Sequence, residues 1–181
     1  MKAFVCSVGE RTTHICCEQL KRFGFEVVLL DGKEHWIDKY KRFISIANEE
    51  CLRIDADIIP NRNIQLVGRE DKNLPMIQYK LYDFYKNDIT IGNPILYRKK
   101  ALDMIKANTD KLEVGRTETS AWRRIVIETY TSDLIVGIHG FAQDKETMER
   151  AKKHKIDRGH LKKYNYDFDL AYKIIELIKN D

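Results

Sequence analysis

Apolar positions along this chain switch between a two-residue and a three-to-four-residue spacing, and the switches outline the elements. Ala3 to Val8 is a short, nearly continuous apolar run that reads as a strand. Ile15, Cys16, Leu20 and Phe23 then recur at helical intervals, which predicts a helix over 12–23 with Thr12 or Thr13 as its cap and Gly24 as its stop. Phe25 to Leu30 is a second strand, closed by Asp31-Gly32. Trp36, Tyr40, Phe43, Ile44, Ala47 and Cys51 return to helical spacing and predict an amphipathic helix over 35–50. Leu52 to Asp55 is the third strand. Strand, helix, strand, helix, strand in so short a span is a βαβαβ unit, which requires a parallel sheet with right-handed crossovers.

The middle of the chain is less regular. Ile64 to Val67, Met76 to Tyr85 and Ile89 to Tyr97 suit strands, although 76–85 suits a helix as well. Lys99 to Ala107 and Thr119 to Tyr130 read as helices, Leu134 to His139 as a strand, and the remainder as helices over 144–154 and 168–179. No repeat, low-complexity tract or linker divides the 181 residues, so the pattern predicts one α/β domain.

Chemistry concentrates at the end of the third strand, in Leu52-Arg53-Ile54-Asp55-Ala56-Asp57. Strand geometry turns Asp55 and Asp57 to one face and Leu52, Ile54 and Ala56 to the other. Two adjacent carboxylates repel unless a cation lies between them. A hard divalent ion with oxygen ligands, Mn2+ or Mg2+, relieves that repulsion and leaves positions open for phosphate oxygens. A second copy of the pattern, Asp167-Phe168-Asp169, precedes the apolar segment Leu170 to Ile178. There the aspartates read as helix N-terminal residues with no need of a metal.

Two further strand ends carry polar residues that belong with this pair: Ser7-Val8-Gly9-Glu10 and Asp31-Gly32-Lys33. In an open parallel sheet, ligands bind beyond the carboxyl ends of the strands. Together these segments resemble the nucleotide-sugar half of a GT-A glycosyltransferase, similar to the inverting enzymes often called family 2. Downstream, Gly92-Asn93-Pro94-Ile95-Leu96-Tyr97-Arg98 resembles the acceptor-side strand leading into a helix. Gly115-Arg116-Thr117-Glu118-Thr119-Ser120-Ala121-Trp122 resembles the loop and helix that carry the catalytic acid residue. The resemblance spans residues 3 to about 140 and departs from the family in its single Asp31 and in Thr-Glu-Thr at the catalytic segment.

The resemblance implies a GT-A-like single domain: a Rossmann-like βαβαβ start and a mostly parallel central sheet flanked by helices. It divides the chain into a nucleotide-binding half (1–60), an acceptor and catalytic half (61–143) and C-terminal helices (144–181). It implies that Val8, Gly9, Glu10, Asp31 and Asp55 bind the nucleotide, and that Asp55 and Asp57 hold the metal, with His139 as a further ligand. Glu118 becomes the candidate base toward the acceptor hydroxyl; a helix N-terminal Glu is the structural account of the same residue. A lone histidine at a strand end, such as His139, is also commonly just hydrogen-bonded. The implied activity is metal-dependent transfer of a sugar from a nucleotide-sugar, a UDP-sugar first, to a carbohydrate or other hydroxyl acceptor. The alternatives are a nucleotidyltransferase, for which no Gly-Ser pair precedes the acidic strand, and a non-catalytic nucleotide-sugar-binding module of the same fold.

Composition narrows the rest. A net charge of +4 is modest for a nucleic-acid binder, and none is expected as a partner. Lys145, Arg150, Lys152, Lys153, Lys155, Arg158, Lys162 and Lys163 form a basic stretch that reads as a solvated helix face or, functionally, as a contact for anionic donors or an anionic membrane over 145–163. The four cysteines lack C-x-x-C spacing and read as reduced, mostly buried thiols. With no apolar run near the ~20 residues of a membrane span, and a first segment that reads as a strand, a cytoplasmic location is expected. Trp36 and Trp122 sit on apolar helix faces and are assigned to the core. Arg116, Arg123 and Arg124 are assigned to the surface.

Overall fold

The first strand is apolar on both faces because helices cover both. In the computed structural model, which describes residues 1–83, 88–112, 125, 128–140, 145, 149 and 158–179, β1 (Lys2–Ser7) sends Phe4 and Cys6 into one core and Ala3 and Val5 into another. The second core is closed by Cys16 and Leu20 of α1 (Thr13–Arg22). The first is closed by Tyr40, Phe43 and Ile44 of α2 (Trp36–Ile46) and by Ala101, Leu102 and Ile105 of α3 (Lys99–Lys106). A third cluster seats α4 (Arg158–Lys163) and α5 (Phe168–Lys179) through Leu161, Leu170, Ala171 and Ile174 against Ile59, Tyr82 and Ile138.

These layers enclose one seven-stranded sheet of order β2-β1-β3-β6-β5-β7-β4. Its other strands are β2 (Glu26–Asp31), β3 (Cys51–Asp55), β4 (Ile58–Pro60), β5 (Met76–Asp83), β6 (Asp88–Tyr97) and β7 (Tyr130–His139). The expected α/β architecture is present, and β2-β1-β3 is parallel throughout, as the βαβαβ pattern requires. Strand β7 also runs parallel to β5, while β6 is antiparallel to both β3 and β5, and β4 antiparallel to β7. Beside Ile59 the β4–β7 pair leaves no room for a side chain: a Cβ on Gly137 would lie 2.7 Å from the Ile59 carbonyl oxygen. The glycine lets β4 close onto β7, and that closure brings the Asp57 and His139 ends of the two strands together.

Several expectations are corrected. The helix expected over 35–50 stops at Ile46, and Cys51 opens a strand. Ala47 and Cys51 share the α2 core, so their burial mimicked helical spacing. Ile64 lies in a 3-10 turn, Arg62–Leu66, and not in a strand. Asn61 starts that turn by accepting the Asn63 N–H at 2.9 Å, an Asx cap that overrides the β-like composition. Thr12 is the N-cap residue of α1, one of the two expected, but its side chain makes no cap hydrogen bond. Its hydroxyl donates to the Ala56 carbonyl oxygen at 2.7 Å and ties the helix start to the turn after β3. Residues 128 and 129 are not helical and Tyr130 already belongs to β7, so the strand expected from Leu134 begins four residues earlier. Short elements at Ile58–Pro60 and Arg158–Lys163 were not expected.

The second Asp-x-Asp behaves as a helix start. Asp167 accepts the Leu170 N–H at 2.9 Å and pairs with Arg22 at 2.8 Å. The four cysteines are free thiols, three of them buried. No helix among the described residues is long and apolar enough to cross a membrane.

Candidate nucleotide site

Beyond the carboxyl ends of β1, β2 and β3 lies a cavity of about 270 Å3 lined by Cys6, Val8, Glu10, Glu34, Trp36, Lys39, Arg53, Asp55 and Asp57. Alternation along β3 holds as expected: Leu52, Ile54 and Ala56 are buried against α1 while Asp55 and Asp57 face this space. Arg53 shares their parity, so residues 53, 55 and 57 share one face. The Ala56 N–H continues the parallel ladder to the Cys6 carbonyl at 2.9 Å, which fixes the turn that carries the acids.

The two aspartates have different partners. Asp55 is held on both oxygens, by Arg53 at 3.2 Å and by the Asn93 side-chain amide, which donates at 2.6 Å. Register explains the second contact, since Arg53 pairs with Ile95 across β3 and β6, and two positions further Asp55 meets Asn93. Asp57 faces His139 Nε2 at 3.1 Å through one oxygen, while its other oxygen, Oδ1, is buried with no hydrogen-bond partner. The opposite ring nitrogen of His139 lies 3.4 Å from buried Asp83, its neighbour in the β5–β7 pairing.

His139 is therefore clamped between two carboxylates. Asp57 above all, with Asp83, pushes its pKa up to about 9 against the opposing effect of burial. The folded protein holds a proton that the unfolded chain releases near pH ~6.5. A raised cationic pKa stabilises the fold fully below that value, and the contribution disappears as pH climbs toward 9. Urea melts with EDTA present, run near pH ~6 and near pH ~9, should show the wild type losing about 1–2 kcal/mol more than His139→Gln, after discounting for a side chain one-third exposed. Burial also raises the thiols of Cys16 and Cys51, the latter to about 12, but that loss at high pH is common to both proteins and cancels in the difference. Equal losses would refute the clamp.

The other residues expected in the site divide. Val8 and Glu10 line the cavity, with the Glu10 carboxylate accepting the Val8 N–H at 2.8 Å, and Gly9 is the exposed turn between them. Asp31 ends β2 nearby but is not among the lining residues; its carboxylate turns back to accept the Gly32 N–H at 2.9 Å. Glu118, with Trp122 and Arg116, Arg123 and Arg124, lies outside the described residues, as does most of the basic stretch. Of that stretch, Lys145, Lys162 and Lys163 are exposed. Among the described residues no three His, Cys, Asp or Glu side chains group as a metal site. Both nitrogens of His139 are engaged by carboxylates, so ligation by this ring requires it to give up a proton.

Sequence reasoning missed Arg53, Asn93, Asp83 and Lys39, and it assigned Trp36 to the core alone. The parity shared by Arg53 with Asp55 was a usable signal; the others depend on strand register or on helix placement. Asp55 also lines a second cavity, of about 150 Å3, with Asp83, Thr90, Ile91, Asn93 and His139.

No protein-family model and no curated protein matches the sequence. Solved structures do match. One from Bacillus anthracis, named as a glucose-1-phosphate thymidylyltransferase, is similar over 93% of this chain and 97% of its own, with a TM-score of 0.58 and 12% identity. The fold is GT-A-like. A glycosyltransferase involved in the glycosylation of the major capsid of PBCV-1 matches with TM-score 0.53 and 13% identity, over 85% of this chain and 98% of that one. The bifunctional IspDF of Campylobacter jejuni matches with TM-score 0.55 and 12% identity over 74% of this chain, which spans 49% of that enzyme. At these identities the likeness establishes a fold found in both nucleotidyltransferases and glycosyltransferases, without singling out family 2.

Proposed function

We propose that the protein transfers a sugar from a nucleoside-diphosphate sugar to a hydroxyl acceptor. The observation that supports this reading is the position of Asp55, shared by the larger cavity at the strand ends and the smaller one beside it. A donor in the larger cavity brings its reacting end to that junction, where an acceptor enters from the smaller. The acceptor oxygen forms a bond to the anomeric carbon as the bond from that carbon to the diphosphate oxygen breaks. The proton released passes to a carboxylate, the role proposed for Glu118.

Asp55 and Asp57 would hold Mn2+ or Mg2+, and the buried, unpartnered Asp57 Oδ1 is the atom that fits a cation. Such an ion supplies positive charge for the departing diphosphate. Around it, Arg53 holds Asp55 in place and His139 orients Asp57.

Nucleotidyl transfer to a sugar phosphate would use the same cavities. The lining of the smaller one favours a neutral hydroxyl instead, because a phosphate there would face Asp55 and Asp83 with His139 as the single cation among the lining residues. Incubation with Mn2+ and UDP-sugars plus methyl glycosides should release nucleoside diphosphate. Pyrophosphate from nucleoside triphosphates and sugar 1-phosphates instead would overturn the assignment in favour of nucleotidyl transfer. Tight binding with neither product would leave a binding module.

A further inference from the structure

Strand β6 outruns the strand beside it. Its pairing with β3 stops at Arg53 and Ile95, whereas against β5 it continues out to Asp88. Among the described residues no strand lies on the other side of Asp88–Gly92. At about 3.4 Å per residue this is roughly 17 Å of strand edge, and alternate residues along it turn their N–H and C=O groups outward. Sheets commonly blunt such an edge with charges or proline. Here a single charge, Asp88, stands at its outer end, and Ile89 and Ile91 are 38% and 53% exposed. The inner end of the edge opens into the smaller cavity, which Thr90, Ile91, Gly92 and Asn93 line together with Asp55, Asp83 and His139. That cavity, about 150 Å3, has half the room of even a small whole-ligand site, roughly 300 Å3. Over Gly92 the space is open, since a Cβ there would meet no atom within 4 Å among the described residues.

We propose that the acceptor is an extended, basic stretch of polypeptide that adds as a strand along the Asp88–Gly92 edge and presents a serine or threonine hydroxyl to the smaller cavity. The inference rests on the sugar-transfer reading above and names its acceptor. A strand added to a sheet edge gains affinity from main-chain hydrogen bonds, and pockets for alternate side chains supply specificity. Successive side chains leave a strand on opposite faces, so one residue enters the cavity while its neighbours stay outside. A cavity of this size suits a single hydroxyl-bearing side chain of a larger acceptor. Charge favours a basic one. Asp55 and Asp83 line the cavity with His139 as the single cation among the lining residues. Asp88, whose carboxylate accepts the Ile89 N–H at 2.7 Å, adds negative charge at the far end of the edge. In the transfer, the side-chain oxygen bonds to the anomeric carbon and the bond from that carbon to the diphosphate breaks. The hydroxyl proton passes to a carboxylate, as for any hydroxyl acceptor here.

Transfer from UDP-sugars with Mn2+ to a library of lysine-flanked heptapeptides, each with a central serine or threonine, tests the inference by mass spectrometry. The best peptide should accept at least about tenfold faster than methyl glycosides. N-methylation of its backbone then reads the strand directly. Methyl groups on one set of alternate nitrogens should slow transfer by at least about tenfold, the scale of one or two lost hydrogen bonds. On the other set they should change it by less than about threefold. Gly92→Val should keep the melting temperature, because a Cβ has room there, and should slow transfer to the peptide by at least about tenfold. Three results each overturn the inference and leave sugar transfer intact: methyl glycosides accepting as fast as every peptide, both methylated sets behaving alike, or Gly92→Val transferring normally. Release of nucleoside diphosphate with none of these acceptors overturns both.

Discussion

Asp57→Asn should lower sugar transfer by at least about 100-fold, the scale at which one electrostatic contact to developing charge is lost, while leaving the fold intact. Asp57 Oδ1 is buried without a hydrogen-bond partner among the described residues, and the other oxygen faces His139 Nε2 at 3.1 Å. An amide of the same shape can still accept from the ring, so the substitution removes little packing, and its stability cost is the Asp57 share of the His139 clamp. Asp55→Asn should cost activity on the same scale and some stability besides. It removes the charge that faces Arg53, whose side chain is 6% exposed, and a buried cation deprived of its counter-ion destabilises. Initial rates at saturating donor, with circular dichroism melts beside them, separate the two effects. Near-normal rates in folded Asp57→Asn would remove the aspartate pair from the chemistry.

The largest stability change is expected at Phe43. Its ring is fully buried, 5.2 Å from Phe4 and from Tyr97 in edge-to-face contacts and 5.9 Å from Tyr40. It thus joins α2 to β1 and β6, the strands on either side of β3. Phe43→Ala removes a full aromatic side chain where close-packed neighbours cannot collapse, a loss of about 3–5 kcal/mol. Against a total stability of roughly 5–15 kcal/mol that is a large share, and it lowers the melting temperature by about 10 °C for a chain of this size. Phe43→Leu should recover more than half of it. A loss under about 1 kcal/mol from Phe43→Ala would mean that α2 is not docked on this sheet.

Much of this was legible in the chain because local rules and tertiary packing agree through residue 55. Strands covered on both sides must be apolar, and α1 ends before Gly24, whose φ of +88° suits glycine. The two Asp-x-Asp copies differ in setting: the first lines a cavity, and the second starts a helix as expected. Where reading failed, long-range contacts decided. Burial against α2 carried apolar spacing from Ala47 to Cys51 across the end of a helix. Asn93 meets Asp55 only through the β3–β6 register, and Asp83 meets His139 only because β7 runs parallel to β5. Neither pairing leaves a local trace. Trp36 stands at the first turn of α2, where one side chain both packs on the core and lines the cavity.

Crystals grown with UDP and Mn2+ and measured at the manganese absorption edge would examine the proposed centre directly. The anomalous peak should fall within coordination distance, about 2.1 Å, of Asp57 Oδ1, with diphosphate oxygens nearby in the same cavity. A nucleotide seated elsewhere on the molecule, or a manganese peak remote from both aspartates, would contradict the account.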